Sequence, residues 1–243
     1  MSYLKLILFI VLYYASIFII GKLFSIQGKL NIYKSNILIG ILSIIISLIL
    51  IYYSEIDFKE AGFKIGNIKN GLIMIGISFL IILISIYSMR KMSYSDLIKI
   101  PYISFKKNKL LLLYMWVLVG PIEEIFYRGF VQGNLEKLVF GSFFTIRYST
   151  LISMLIFILA HLNNVFIGKE NIKQFLNLLP GRVIMSFILS YTFQITGSLL
   201  YPIIIHNFSD GMTISYLIYL KQRFTNNYQL WFTIAKILVY AYI

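Results

Sequence analysis

Glu123 and Glu124 stand side by side in the run Gly120-Pro121-Ile122-Glu123-Glu124-Ile125-Phe126-Tyr127-Arg128-Gly129-Phe130, within a stretch otherwise apolar enough to cross a membrane. A charged side chain at bilayer depth costs on the order of a few kcal/mol, so adjacent carboxylates there call for a compensating partner and mark a candidate site. Arg128 supplies the partner. Four residues after Glu124, it falls on the same helical face with the acid nearer the N-terminus, the favourable order for an intrahelical pair. Glu123 then points about 100° away and stays outside that pair. One carboxylate neutralised by a guanidinium beside a second left free to take a proton is what a general base with local support requires. A buried ion pair that only ties helices together would account for Glu124 and Arg128, but not for Glu123.

The chain has 2 histidines, and both lie in apolar segments. His161 follows Phe157-Ile158-Leu159-Ala160, and His206 follows Ile203-Ile204-Ile205. Phe157 with His161, and His206 with Asp210, are spaced to share a helical face. A lone membrane histidine is commonly a packing residue. Two of them aligned with acids on other helices point to a site in which imidazoles position water or stabilise charge. Gly120-Pro121 should loosen the helix just ahead of the carboxylates, because proline lacks a backbone donor and crowds the preceding turn. Asn163, Asn164, Asn207 and Ser209 are nearby hydrogen-bonding residues that need no function.

These residues must be carried by membrane helices. The 243-residue chain is 59% hydrophobic and 13% charged, with a mean hydropathy of +0.84, too little charge to cover the surface of a water-soluble domain of this size. The expected fold is all-α, a single domain over residues 1–243 built as a polytopic bundle of about eight transmembrane helices. The spans are Leu4–Phe24, Ile37–Tyr53, Gly71–Met89, Leu110–Val131, Phe143–Leu162, Phe175–Phe193, Ser198–Leu220 and Tyr228–Ile243, each about long enough to cross ~30 Å of hydrocarbon. The first reads as a retained helix, since no small-residue cleavage site follows it. The absence of cysteine excludes disulfides, thiol nucleophiles and thiolate metal ligands.

The net charge of +13 does not argue for nucleic acid, because the lysines are spread over short loops and form no stripe. The lipid bilayer is the partner they fit. Alternating the loops puts Lys29, Lys34, Arg90, Lys91, Lys99, Lys106, Lys107, Lys109, Lys169, Lys173, Lys221 and Arg223 on one side, which is then cytoplasmic. The stretch from Arg90 to Lys109 could lie on that leaflet as an amphipathic helix.

Glu-Glu-x-x-x-Arg at Glu123, Glu124 and Arg128, Phe-x-x-x-His at Phe157 and His161, and His-x-x-x-Asp at His206 and Asp210 follow one another on successive helices. This order resembles the CAAX protease and bacteriocin-processing enzyme family, also called the Abi family, which includes the Ras-converting CAAX endopeptidases. Gly129 after the arginine fits the same pattern, and the resemblance covers roughly residues 110–212. It implies eight transmembrane helices around a conical cavity in a multi-pass protein of the cell membrane, and endoproteolysis of a membrane-associated peptide or protein. Carried onto this chain, it makes Glu123 the activator of the attacking water with His161 helping to hold it. His206 and Asp210 then face the developing oxyanion, and Glu124 with Arg128 supports them. Several members have Asn where this chain has Asp210, and an ionised carboxylate cannot donate to an oxyanion. Asp210 must then be protonated, orient His206 or help bind a cation.

The expected function is a glutamate-dependent intramembrane endopeptidase without a cofactor. By family analogy its substrates are leader peptides of bacteriocins or pheromone-like peptides. A rival is a zinc protease with Glu123, His161 and His206 as ligands and Glu124 as base, since two imidazoles and a carboxylate form a known catalytic zinc set. Another is a non-catalytic bacteriocin immunity or scaffold protein. A third, a proton-coupled transporter, lacks the paired broken helices that such proteins carry in corresponding halves.

Overall fold

The computed structural model of the chain describes residues 2–26, 32–97, 100, 109–166, 168 and 170–240, with the backbone alone at 23–26, 32, 33 and 225–240. Helices dominate, because long apolar runs in hydrocarbon can satisfy their backbone groups only internally. The long helices are α1 (Tyr3–Ile26), α2 (Ile32–Tyr53), α3 (Ile68–Ser88), α4 (Lys109–Leu138), α5 (Tyr148–Ala160), α6 (Ile172–Thr196) and α7 (Leu200–Tyr240). Short helical turns at Met89–Lys91, Tyr94–Leu97 and Asn163–Phe166 lie between them. Among the described residues, six segments are long and apolar enough to cross a membrane: Tyr3–Lys22, Lys34–Tyr53, Ile68–Lys91, Lys109–Leu138, Tyr148–Phe166 and Ile172–Thr196, so that two of them run past the ends of α3 and α5 through the short turns that follow. This is a multi-pass membrane protein. The first half of α7, which carries His206, Asn207 and Asp210, is not among those six segments.

Local chemistry fixes several helix ends. The Asn67 side chain accepts from the N–H of Asn70 at the start of α3. Asn171 and Gln174 form a reciprocal capping box at the start of α6, satisfying two donors that an open helix terminus leaves orphaned. Gly197, at φ 63°, ends α6 in the left-handed conformation that glycine tolerates.

Three boundaries differ from the sequence expectation. The fourth span does not stop at Val131 but runs to Leu138, because Gln132 and Asn134 are buried and hydrogen-bonded rather than solvated. Gln132 Nε2 donates to Thr150 Oγ1 and to the carbonyl of Ser190, and Asn134 Nδ2 to the carbonyl of Phe130. The fifth span does not begin at Phe143. Two short antiparallel strands, β1 (Ser142–Phe143) and β2 (Ile146–Arg147), precede α5, with Ser142 opposite Arg147. The last two expected spans form one helix, α7, continuous from Leu200 to Tyr240. The polar stretch Lys221-Gln222-Arg223 between them holds no glycine or proline, and its residues are good helix formers. Of the basic stretch from Arg90 to Lys109, residues 98, 99 and 101–108 lie outside the described residues, and the described part holds the short turns Met89–Lys91 and Tyr94–Leu97.

Helix α4 is the centre of the bundle, packed among α2, α5 and α7. It is wound unevenly. Two π-helical stretches, Tyr114–Leu118 and Ile125–Gln132, flank an α-helical turn at Val119–Glu124. The N–H of Val119 bonds back to the carbonyl of Tyr114, and that of Gly133 to the carbonyl of Arg128. The expected opening at Gly120-Pro121 is therefore not a break: the helix continues through both residues, with wide turns on either side. Such wide turns are frequent at functional sites, and they rotate side chains out of α-helical register.

The segment between α2 and α3 folds inward beneath this helix. Ala61 and Ile56 are buried there, and the amide of Leu199 donates to the carbonyl of Gly62. A Cβ at Gly129 would lie 3.2 Å from the Ala61 carbonyl oxygen and 3.3 Å from a Leu199 methyl. Glycine after Arg128 therefore lets α4 settle onto this segment.

Candidate active site

The carboxylate pair divides as its spacing suggests. Glu124 and Arg128 are both 0% exposed, with Arg128 Nη1 donating to Glu124 Oε1 at 3.1 Å. The same oxygen accepts from His206 Nδ1 at 2.7 Å, which ties α4 to α7. Arg128 Nη2 reaches the carbonyl of Ser186 on α6 at 3.4 Å. Glu123 faces elsewhere and keeps 30% of its side chain exposed.

His206 stands at the centre of the constellation. With Nδ1–H given to Glu124, its other nitrogen, Nε2, lies 3.8 Å from Glu123 Oε2 and 3.7 Å from Asp210 Oδ2. Both separations exceed hydrogen-bond length, so neither carboxylate is used up by the imidazole. Asp210 is 38% exposed. Glu124, and not Asp210, makes the hydrogen bond that orients His206.

His161 caps the C-terminus of α5, and its Nδ1 lies 2.9 Å from the carbonyl of Phe157. A carbonyl only accepts, so Nδ1 carries the proton there and Nε2 is left free. Both histidines therefore have Nδ1 engaged and Nε2 available, a matched arrangement set by their partners.

Phe157 joins these groups physically. The Arg128 guanidinium sits 4.4 Å from its ring centroid, an attractive placement of a cation against a π-face. The rings of His161 and Tyr127 meet it edge-on at 4.8 Å, and His206 at 6.2 Å. The motif spacing places Phe157 beside His161; its reach to Arg128 and His206 on two other helices has no local signal in the sequence.

Helix α1 contributes as well. The Tyr13 ring stacks on Phe126 at 3.6 Å, and the hydroxyls of Tyr14 and Tyr127 are hydrogen-bonded. Glu123 acts electrostatically on Tyr13, Tyr14 and Tyr127. No spacing in the sequence singles out Tyr13 or Tyr14, which lie in an apolar run with no other site residue.

All six expected site residues thus fall in one region: Glu123, Glu124, Arg128, His206 and Asp210 through direct neighbours, and His161 through the Phe157 ring. His161 also acts electrostatically on Asp210. The zinc set fits less well. Among the described residues no group of three His, Cys, Asp or Glu is arranged to hold a metal ion. Glu124, the base of that scheme, is wholly buried with Oε1 already shared by Arg128 and His206.

A buried carboxylate and guanidinium from α4 thus lie near one imidazole from the end of α5 and another from α7. Residues 106–212 match the family model described as type II CAAX prenyl endopeptidase Rce1-like. Over this segment, somewhat under half of its length, the chain is similar to the Rce1-like CAAX-protease family, a likeness that supports a membrane endopeptidase in general. No curated protein and no solved structure matches the chain.

Proposed function

We propose that this protein is a glutamate-dependent intramembrane endopeptidase acting on a membrane-associated peptide or protein, with leader peptides of secreted small peptides as the substrate class. The observation that carries the reading is the shared oxygen of Glu124. By holding Arg128 and His206 Nδ1 together, it fixes His206 so that Nε2 points between the carboxylates of Glu123 and Asp210.

In this reading Glu123, the carboxylate with exposed surface, takes a proton from a water held with the help of His161. The hydroxide attacks the scissile carbonyl carbon. His206, in its imidazolium form, donates Nε2–H to the oxyanion, and Asp210 lies beside the same position. Collapse of the tetrahedral intermediate breaks the C–N bond, and protonated Glu123 returns its proton to the leaving amine. Positioned donors of this kind contribute largely because they are aligned before charge develops.

The test is cleavage of a candidate leader peptide by the purified protein, wild type against Glu123→Gln. The variant should fold and insert as wild type does but lose on the order of 10²–10⁴-fold in rate. Retention within a few-fold would remove Glu123 from this role. Asp210→Asn, which keeps the size and supplies a permanent donor, should retain substantial activity. Activity lost on chelation and restored by zinc would decide for the metal-dependent reading. Binding of a peptide without cleavage would favour an immunity or scaffold protein.

A further inference from the structure

Pro121 leaves a gap in the backbone ladder of α4. In α-helical register the carbonyl of Val117 would accept from the N–H of residue 121, and proline has none. The gap lies two residues before Glu123. The structure fills it from another helix: Asn207 Nδ2 donates to the Val117 carbonyl at 3.3 Å, while Asn207 Oδ1 accepts from the Gly120 N–H at 2.8 Å. One side-chain amide thus serves as both donor and acceptor for the turn that proline interrupts.

The approach needed for this is close. A Cβ at Gly120 would lie 2.6 Å from Asn207 Oδ1 and 2.7 Å from the carbonyl oxygen of Ile203. Gly120 admits the amide, Pro121 creates the vacancy, and Asn207 occupies it. Asn207 also neighbours His206 in the chain, so the clamp couples the turn leading to Glu123 to the residue beside the oxyanion donor.

We infer that Asn207 is a positioning residue, a clamp across α4 and α7 that sets Glu123 against His206 Nε2 by completing the backbone around Pro121. This rests on the endopeptidase reading for its kinetic consequence, but not for the clamp itself. The clamp makes a particular demand: restoring the missing N–H should relieve the need for Asn207. Pro121→Ala returns that donor while removing only ring carbons.

The experiment is a double-mutant cycle on the purified full-length chain, combining Asn207→Leu with Pro121→Ala and reading both thermal stability and peptide cleavage. Asn207→Leu should lower kcat on the order of 10²-fold, the loss expected from a misplaced reacting group, with KM within a few-fold. In the Pro121→Ala background the same substitution should cost much less in both stability and kcat. Equal losses in both backgrounds would overturn the clamp, and unchanged kcat in a folded Asn207→Leu protein would overturn the positioning role. If Asn207→Leu does not fold, recovery of folding by Pro121→Ala supports the clamp, and failure to recover in both Asn207→Leu and Asn207→Asp overturns it. A wild type that cleaves no peptide counts against the proposed function, and the stability cycle still decides the clamp.

Discussion

Helices α1 and α4 have similar credentials as membrane spans, both long and strongly apolar, yet they live in different surroundings. In the span Tyr3–Lys22 only 11% of the most apolar window is buried inside the protein, against 50% in Lys109–Leu138. Helix α1 touches the bundle along one stripe, where Leu6 and Tyr13 are buried, and turns Leu4, Ile7, Leu8 and Val11 outward. Helix α4 buries every residue from Glu124 to Leu135. Apolarity reports that both helices sit in hydrocarbon; it does not distinguish lipid from protein as the neighbour. The difference lies in polar content. Lipid cannot satisfy Glu124, Arg128, Gln132 or Asn134, so a helix carrying them must be enclosed by others that can.

The contrast predicts a steep gradient of mutational effect between the two helices. Arg128→Ala strands Glu124 without its cation and should lower stability by about 3–5 kcal/mol, with Arg128→Lys a partial rescue because lysine lacks the planar fork. Equilibrium unfolding in detergent would check this, and a wild-type transition in Arg128→Ala would erase the distinction drawn here. Tyr14→Phe, where α1 does reach the site, removes one hydrogen bond to Tyr127 and should cost about 1 kcal/mol. Leu8→Ala on the outward face of α1 should stay within about 0.5 kcal/mol. A large loss there would mean that α1 packs against something beyond this chain.

A still smaller effect is expected outside the spans, at the ion pair of Glu60 with Lys137. The Lys137 hydrogen bond holds the Glu60 carboxyl below its usual value. A depressed carboxylate stabilises the fold above its unfolded pKa and loses that contribution as pH falls through the folded one. Because the pair is exposed, Glu60→Gln should change stability by less than about 1 kcal/mol at neutral pH. It should also leave the acid limb of the pH–stability profile nearly unmoved.

The candidate site residues stood out because their chemistry is out of place in a membrane: Glu123, Glu124, Arg128, His161, His206 and Asp210 each break an apolar run. Their spacing also carried the pairing of Glu124 with Arg128, an interaction within one helix turn. What the sequence did not carry was how distant elements meet. The bond from Glu124 to His206 spans 82 residues, and the amide of Asn207 reaches back across 87 to Gly120. No local periodicity encodes either. The membrane spans were legible as apolar runs, but their ends were not. Gln132 and Asn134 look like a helix end until a partner helix is there to satisfy them, and Phe143 looks like membrane until it turns into a hairpin.

Phe157 gives the site a mechanical property. One rigid ring is braced against the guanidinium of Arg128, both imidazoles and the phenol of Tyr127. Displacing α5 by a fraction of an ångström would shift all four together, and reshaping the ring would release all four at once. Substitutions among these residues should therefore fail to add, the first removing much of what the second could disturb. The site's tolerance to change is then set less by any one charged group than by a single uncharged wedge that keeps them in common alignment.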